Sequence, residues 1–355
     1  MKTRIINAQI DGRAQDVLVE DSKITAILER TEHAAADKTI DAEGAQLLPG
    51  LIDVHSHGCI GQDTMDAGEH FKEMTRFYFE HGTTTWYPTT MTAPPEEVLA
   101  ALNQKTDYGC GAHTPGFHVE GPYINTKYKG AQNESFIRPP DKEEFALWPH
   151  VARITIAPEL PGALEFIKSC PVPVSLGHTD ADYDTALAAF RAGARSLTHT
   201  CNAMPPLLHR APGPIGAAAV AGAYAEVISD GLHIAEGMIV ALYRIFGPSR
   251  MVLISDSMQA TGLSDGVYNF GGQPVTVKGG AARTEGGALA GSTTCLFDCV
   301  KKAISFGIPA EDAFRMASRT PAEMMGLKKG RIEVGYDADF ILLDENYNLL
   351  RTVIL

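Results

Sequence analysis

His55 and His57 stand one residue apart at the end of the apolar run Leu51-Ile52-Asp53-Val54, with Gly58 directly after them. In an extended chain residues i and i+2 project to the same side, so both imidazoles can aim at one divalent cation. A lone His-x-His is weak evidence, but the pattern recurs. Glu120, His178, His199, His233 and Asp256 each close a short strand-like run further along the chain. Four imidazoles and a carboxylate from this set are enough for one or two divalent metal ions, Zn or Fe(II) being the best match to nitrogen and oxygen donors. Asp256 is then free to move protons. Taken singly, each histidine is more simply a hydrogen-bonded interior or surface residue; ligand types at the ends of six predicted strands point instead to a metal-dependent site. His70, His81, His113, His118 and His150 lie off strand ends or on the wrong parity. His118 precedes Glu120 by two, shares its face and is the strongest rival among these.

Residues so far apart in sequence meet only if a fold gathers the strand ends. Eight strand candidates are spaced at helix-length intervals: Leu51–His57, Thr83–Thr90, Thr114–Glu120, Arg153–Glu159, Val172–His178, Ser196–His199, Glu226–His233 and Met251–Asp256. Alternating strands and helices imply a parallel sheet, and eight strands close a barrel. The fold class is therefore α/β, a (β/α)8 TIM-type barrel over residues 51–329, whose catalytic groups sit at the C-terminal strand ends. Helices are expected over Gly68–His81, Glu96–Asp107, Ala163–Lys168, Ala181–Ala192, Ala235–Phe246, Thr294–Phe306 and Pro309–Ser318. Asn125 to Pro140 reads as a long loop, and the Gly-rich stretch Gly262 to Gly291 as a hairpin excursion near the mouth. Short alternating runs in residues 1–50 and 330–355 predict a small β-sandwich subdomain built from both chain ends.

With 355 residues and a formal charge of −13, the chain is long enough for a large barrel and carries the wrong sign for nucleic acid or an anionic membrane surface. An anionic substrate would need a local basic pocket. The six cysteines include no C-x-x-C pair, and MKTRIINAQIDG lacks the apolar core of a signal peptide, so a reduced, cytoplasmic protein is expected. The longest nearly apolar run, Ile215 to Ala225, is well short of the ~20 residues of a membrane span.

The segment Gly50-Leu51-Ile52-Asp53-Val54-His55-Ser56-His57-Gly58 resembles strand one of the amidohydrolase superfamily. His118-Val119-Glu120-Gly121-Pro122, Gly177-His178-Thr179-Asp180, Thr198-His199-Thr200-Cys201-Asn202-Ala203-Met204-Pro205, Asp230-Gly231-Leu232-His233, Ser255-Asp256-Ser257-Met258 and Leu289-Ala290-Gly291-Ser292-Thr293 narrow the likeness to the branch that deacetylates N-acetylglucosamine 6-phosphate. The resemblance implies hydrolysis of that acetamide to glucosamine 6-phosphate and acetate, with Glu120, His178 and His199 on one metal and His55 and His57 on a second. It makes Asp256 the catalytic aspartate, and gives Asn202, the Ala203 backbone, Arg210 and His233 the sugar phosphate. Where some relatives have a histidine, this chain has Gln132, whose amide N–H can still donate to the acetyl oxygen. A homodimer is expected, with Arg210 serving its own site or its partner's. Rival expectations are the galactosamine epimer as substrate, a cyclic-amide hydrolase, or a non-catalytic assembly barrel; the intact ligand set with Asp256 counts against the last.

Overall fold

The computed structural model describes residues 1–355 except positions 30, 31, 33, 67 and 107. Its centre is a sheet of eight parallel strands paired in chain order: Leu51–Ser56, Thr83–Thr90, Phe117–Glu120, Val151–Ile156, Val174–Leu176, Ser196–Leu197, Tyr224–Ile228 and Met251–Ile254. The first and last strands meet where the Asp256 N–H donates to the His55 carbonyl at 2.9 Å and the Ser255 hydroxyl to the Asp53 carboxylate at 2.5 Å. The barrel expected from the strand count is thus present. Its strands were legible because burial on both faces demands nearly continuous apolar or small residues. Every residue of Leu51–Ser56 and of Thr83–Thr90 is buried.

Helices at Phe71–Glu80, Pro95–Leu102, Ala163–Ser169, Tyr183–Ala192 and Glu236–Phe246 cover the outside. The second ends at Leu102, short of the expected boundary at position 107, which lies outside the described residues. In the first, Phe71, Met74, Thr75 and Tyr78 form a helical stripe, and the Phe71 and Tyr78 rings pack on Trp86 of the second strand. The Tyr78 hydroxyl then reaches the Gly58 carbonyl and the Ser257 hydroxyl, both at 2.9 Å, tying this helix to the loops that carry His57 and Asp256. Beyond the third strand the expected loop contains 3-10 turns at Thr126–Tyr128 and Glu134–Phe136, then a short helix, Lys142–Ala146.

Several elements were not expected. Helix Gly213–Ala221 is built from Gly, Pro, Ala, Ile and Val, so it has no polar face and shows no helical period. Pro214 near its start and Gly222 at its end, with φ 73°, are the local signals that mark it. Helix Arg319–Met325 follows directly on Ala310–Met316. Strands Lys38–Asp41 and Gln46–Pro49 are too short to show alternation.

The chain ends share one seven-stranded sheet, in which Asp339–Leu343 pairs antiparallel with both Gln46–Pro49 and Leu349–Ile354. Ile5, Val17, Ile24, Leu47 and Phe340 fill its core. Gly50 joins this sheet to the barrel at a point where a Cβ would lie 2.2 Å from Thr84 Oγ1, so no larger residue fits the junction. The Gly262 to Gly291 excursion is a three-stranded antiparallel sheet, Gly266–Phe270, Gln273–Lys278 and Ala281–Thr284. It sets Phe270 edge-on to His57, ring centroids 5.2 Å apart.

Candidate active site

Glu120 is the last residue of the third strand, whereas His178, His199 and Asp256 each lie two residues past the end of theirs. All three take left-handed backbone, with φ 47°, 29° and 49°. Such conformations cost ~1–3 kcal/mol per non-glycine residue and persist where the surroundings over-determine them. Here they turn the side chains inward over the barrel mouth.

The donors crowd together. His178 Nε2 and His199 Nε2 lie 3.0 Å apart and 3.2 and 3.0 Å from Glu120 Oε1. His55 Nε2 and His57 Nε2 lie 3.2 Å apart, at 3.4 Å from Glu120 Oε1 and 3.2 Å from Glu120 Oε2 respectively. Two candidate metal groups result, His55 with His57 and Glu120, and Glu120 with His178 and His199, sharing Glu120 as their common corner. Ligand atoms ~2.0–2.1 Å from a tetrahedral cation stand roughly 3.3 Å from one another, so these spacings suit divalent metal in both groups. Lone pairs facing each other at 3.0 Å would otherwise repel. The His178 Nδ1–H donates to the Tyr128 carbonyl at 2.9 Å, leaving Nε2 free to bind.

Electrostatics follow from this crowding. Burial alone would raise the Glu120 carboxyl, but the imidazoles of His55 and His178 outweigh it and hold it well below the usual range. Asp256 is likewise lowered: burial opposes ionisation, and His55 and His57 overcome it. Burial disfavours the charged form of His57, yet hydrogen bonds to Asp256 and Glu120 prevail and push it up to about 9. A cation must therefore displace a proton from His57 at any pH below about 9. Metal affinity of the metal-free protein is expected to rise with pH from neutrality towards that value, because both His57 and His55 are held above the ordinary imidazole range. Calorimetric titrations with Zn(II) in two buffers of different ionisation heat, near neutral pH, should show proton release; a pH-independent affinity would remove His57 from the donor set.

A cavity of about 370 Å³ opens over the donors, lined by His57, Glu120, Gln132, His178, His199, Asn202, Ala203, His233 and Asp256. His55 lies behind His57 and is fully buried. His233 donates from Nδ1 to Asp230 at 2.7 Å, and that carboxylate keeps the imidazole above its ordinary pKa despite burial. Gln132 accepts from the Thr92 N–H at 2.7 Å and donates to Glu120 Oε2 at 2.9 Å, so one of its two amide hydrogens already braces the metal carboxylate. His118, the rival donor, is held by Thr155 and Thr89 inside the barrel, where burial and the Arg153 charge keep it well below the usual histidine range and hence neutral. Arg210 is not brought to the cavity. It is exposed and lines a neighbouring cleft with Asp180, Asp182 and Pro205. Lys127, Tyr128 and Phe270 also line the cavity and were not singled out from sequence, whereas Leu289, which lines it too, belongs to a motif that carries the resemblance. They sit in loops and in the excursion, where no strand register points to them.

A parallel barrel with imidazoles and carboxylates gathered at its C-terminal rim is an arrangement that metal-dependent hydrolases use. The amidohydrolase family profile matches residues 46–354. N-acetylglucosamine-6-phosphate deacetylase of Vibrio furnissii is 38% identical over 95% of this chain and 89% of its own length. The crystal structure of N-acetylglucosamine-6-phosphate deacetylase from Pasteurella multocida superposes with a TM-score of 0.91 at 30% identity, covering 100% of this chain and 98% of that one. A mutant of the Mycobacterium smegmatis enzyme, solved in complex with N-acetyl-D-glucosamine-6-phosphate, superposes with a TM-score of 0.88 at 30% identity, covering 100% and 97%. The chain belongs to the amidohydrolase family and, within it, to the N-acetylglucosamine-6-phosphate deacetylases.

Proposed function

We propose that this chain removes the acetyl group from N-acetylglucosamine 6-phosphate with Asp256 as the proton carrier and Glu120, His178, His199, His55 and His57 as ligands of one or two divalent ions, zinc or iron. The observation that carries this reading is the placement of Asp256 Oδ1 3.3 Å from His57 Nε2 and 3.5 Å from His55 Nε2, on the same cavity wall as the donors. When bound, divalent metal polarises the acetyl carbonyl and brings the attacking water to a pKa of ~7. Asp256, whose Oδ1 stands on the cavity wall beside the donors, accepts a proton from the attacking water and passes it to the departing amine nitrogen. Unprotonated, the amine is a poor leaving group. The second amide hydrogen of Gln132 is available to the acetyl oxygen, and Asn202 and the Ala203 backbone line the wall beside it.

His233, kept readily protonated by Asp230, offers a cationic donor to the 6-phosphate. Arg210 is exposed, so in the homodimer we propose it is free to reach phosphate held in a partner's cavity. A cytoplasmic setting fits a sugar-phosphate substrate, and no helix among the described residues is long and apolar enough to cross a membrane.

Acetate release from N-acetylglucosamine 6-phosphate, from the free sugar and from the galactosamine epimer tests the reading. The phosphorylated glucosamine derivative is expected to be strongly preferred over the free sugar; equal rates on the two would unseat the phosphate assignment. Arg210→Ala should lower kcat/KM on the phosphorylated substrate by roughly 10–1,000-fold, for a charge-assisted contact contributing ~1.5–4 kcal/mol, and change little on the free sugar. An unchanged ratio of the two specificity constants would make Arg210 a surface charge.

A further inference from the structure

Glu226 and Arg153 place two charges in the barrel interior, 0% and 1% exposed, where such barrels are normally filled by Val, Ile and Leu. A buried ion pair is weak evidence of stabilisation, because desolvation of both charges offsets their attraction and apolar residues of similar volume often serve as well. Its contacts show what it holds. Arg153 donates to Glu226 Oε1 and, from its other terminal nitrogen, to the Val54 carbonyl at 3.2 Å. The second oxygen of Glu226 accepts from His55 Nδ1 at 3.4 Å. Strands four and seven thus converge on the backbone and the imidazole of strand one.

We infer that Glu226, braced by Arg153, is the positioning residue of His55 and thereby sustains the second of two metal sites; this rests on the metal reading of the candidate site. A proton fixed on Nδ1 leaves the Nε2 lone pair facing His57 and Glu120, and the carboxylate makes that lone pair a better donor. The other ligand histidines are held differently. His178 uses the Tyr128 carbonyl, while Nδ1 of His57 and of His199 has no hydrogen-bond partner among the described residues. His55 is therefore the ligand imidazole with a carboxylate behind it, and the effect of Glu226 is confined to the half of the site that includes His55.

Zn(II) bound per chain is measured at graded chelator concentrations for wild type, Glu226→Gln and the double variant Arg153→Met/Glu226→Met, with near-UV circular dichroism to confirm packing. The double variant removes both charges and refills their volume, so it keeps the test decisive if the Arg153 charge left unpaired by Glu226→Gln disturbs packing. Two zinc ions are expected in the wild type. In the variants one should bind 10–100-fold more weakly, the usual scale for losing a group behind a metal ligand, while the zinc on Glu120, His178 and His199 keeps its affinity. Unchanged affinity at both sites, equal loss at both sites, or a wild type binding a single zinc ion overturns the inference. A wild type that binds none overturns the metal reading itself.

Discussion

Asp256→Asn is expected to turn over N-acetylglucosamine 6-phosphate at least ~10²-fold more slowly than the wild type, the usual scale for removing a general acid–base group. The amide has the shape of the carboxylate but can neither accept the proton of the attacking water nor return it to the amine. The substitution should leave the fold intact. Asp256 has left-handed backbone at φ 49°, a conformation asparagine tolerates as readily as aspartate, and its N–H still closes the barrel on the His55 carbonyl. It should also keep the metal on Glu120, His178 and His199, because Asp256 approaches His55 and His57 rather than that group. Acetate release and metal content measured on one preparation separate the possibilities. Wild-type turnover removes Asp256 from the mechanism, and loss of all metal makes it chiefly a ligand.

Glu120→Ala should have the largest effect of any single change, emptying both metal groups and taking acetate release to the limit of detection. Glu120 is the shared corner, 2% exposed, with Oε1 within 3.4 Å of three imidazoles and Oε2 3.2 Å from the fourth. Without its charge the four imidazoles lose the one carboxylate they share, and Glu120, His178 and His199 no longer form a group that offsets a cation's desolvation. His199→Ala should empty the group it shares with His178. His55→Ala, by contrast, should lower metal content by about one ion per chain and leave partial activity, since Glu120, His178 and His199 are untouched. Metal content by mass spectrometry, read beside acetate release, tests the division. If His55→Ala and His199→Ala behave alike, the donors do not sort into two groups in the way their distances indicate.

Particular elements show where sequence reading ends. The second strand was expected at Thr83–Thr90 and is found there, because a strand buried on both faces must be a run of residues without charge. Helix Gly213–Ala221 escaped notice for the opposite reason, having no polar face to reveal a period. Arg153 and Glu226 were read as the first residues of their strands, Arg153–Glu159 and Glu226–His233. Both lie inside, at the third position of Val151–Ile156 and of Tyr224–Ile228. A charge in mid-strand was the available signal.

The chemistry delivered to the barrel mouth was determined by sequence alone: His55, His57, Glu120, His178, His199 and Asp256 follow from apolar runs and strand-end position, which are local properties of the chain. Which donor faces which was decided only by tertiary structure. Closure of the first strand on the last brings Asp256 to His55 and His57, loop packing sets Gln132 against Glu120, and the three-stranded excursion lays Phe270 over His57. The loop that follows the sixth strand leaves Arg210 outside the cavity of its own chain. These pairings join residues from twelve to more than two hundred positions apart, and no period or spacing encodes them, because they arise from how eight strands close and not from what any one strand prefers.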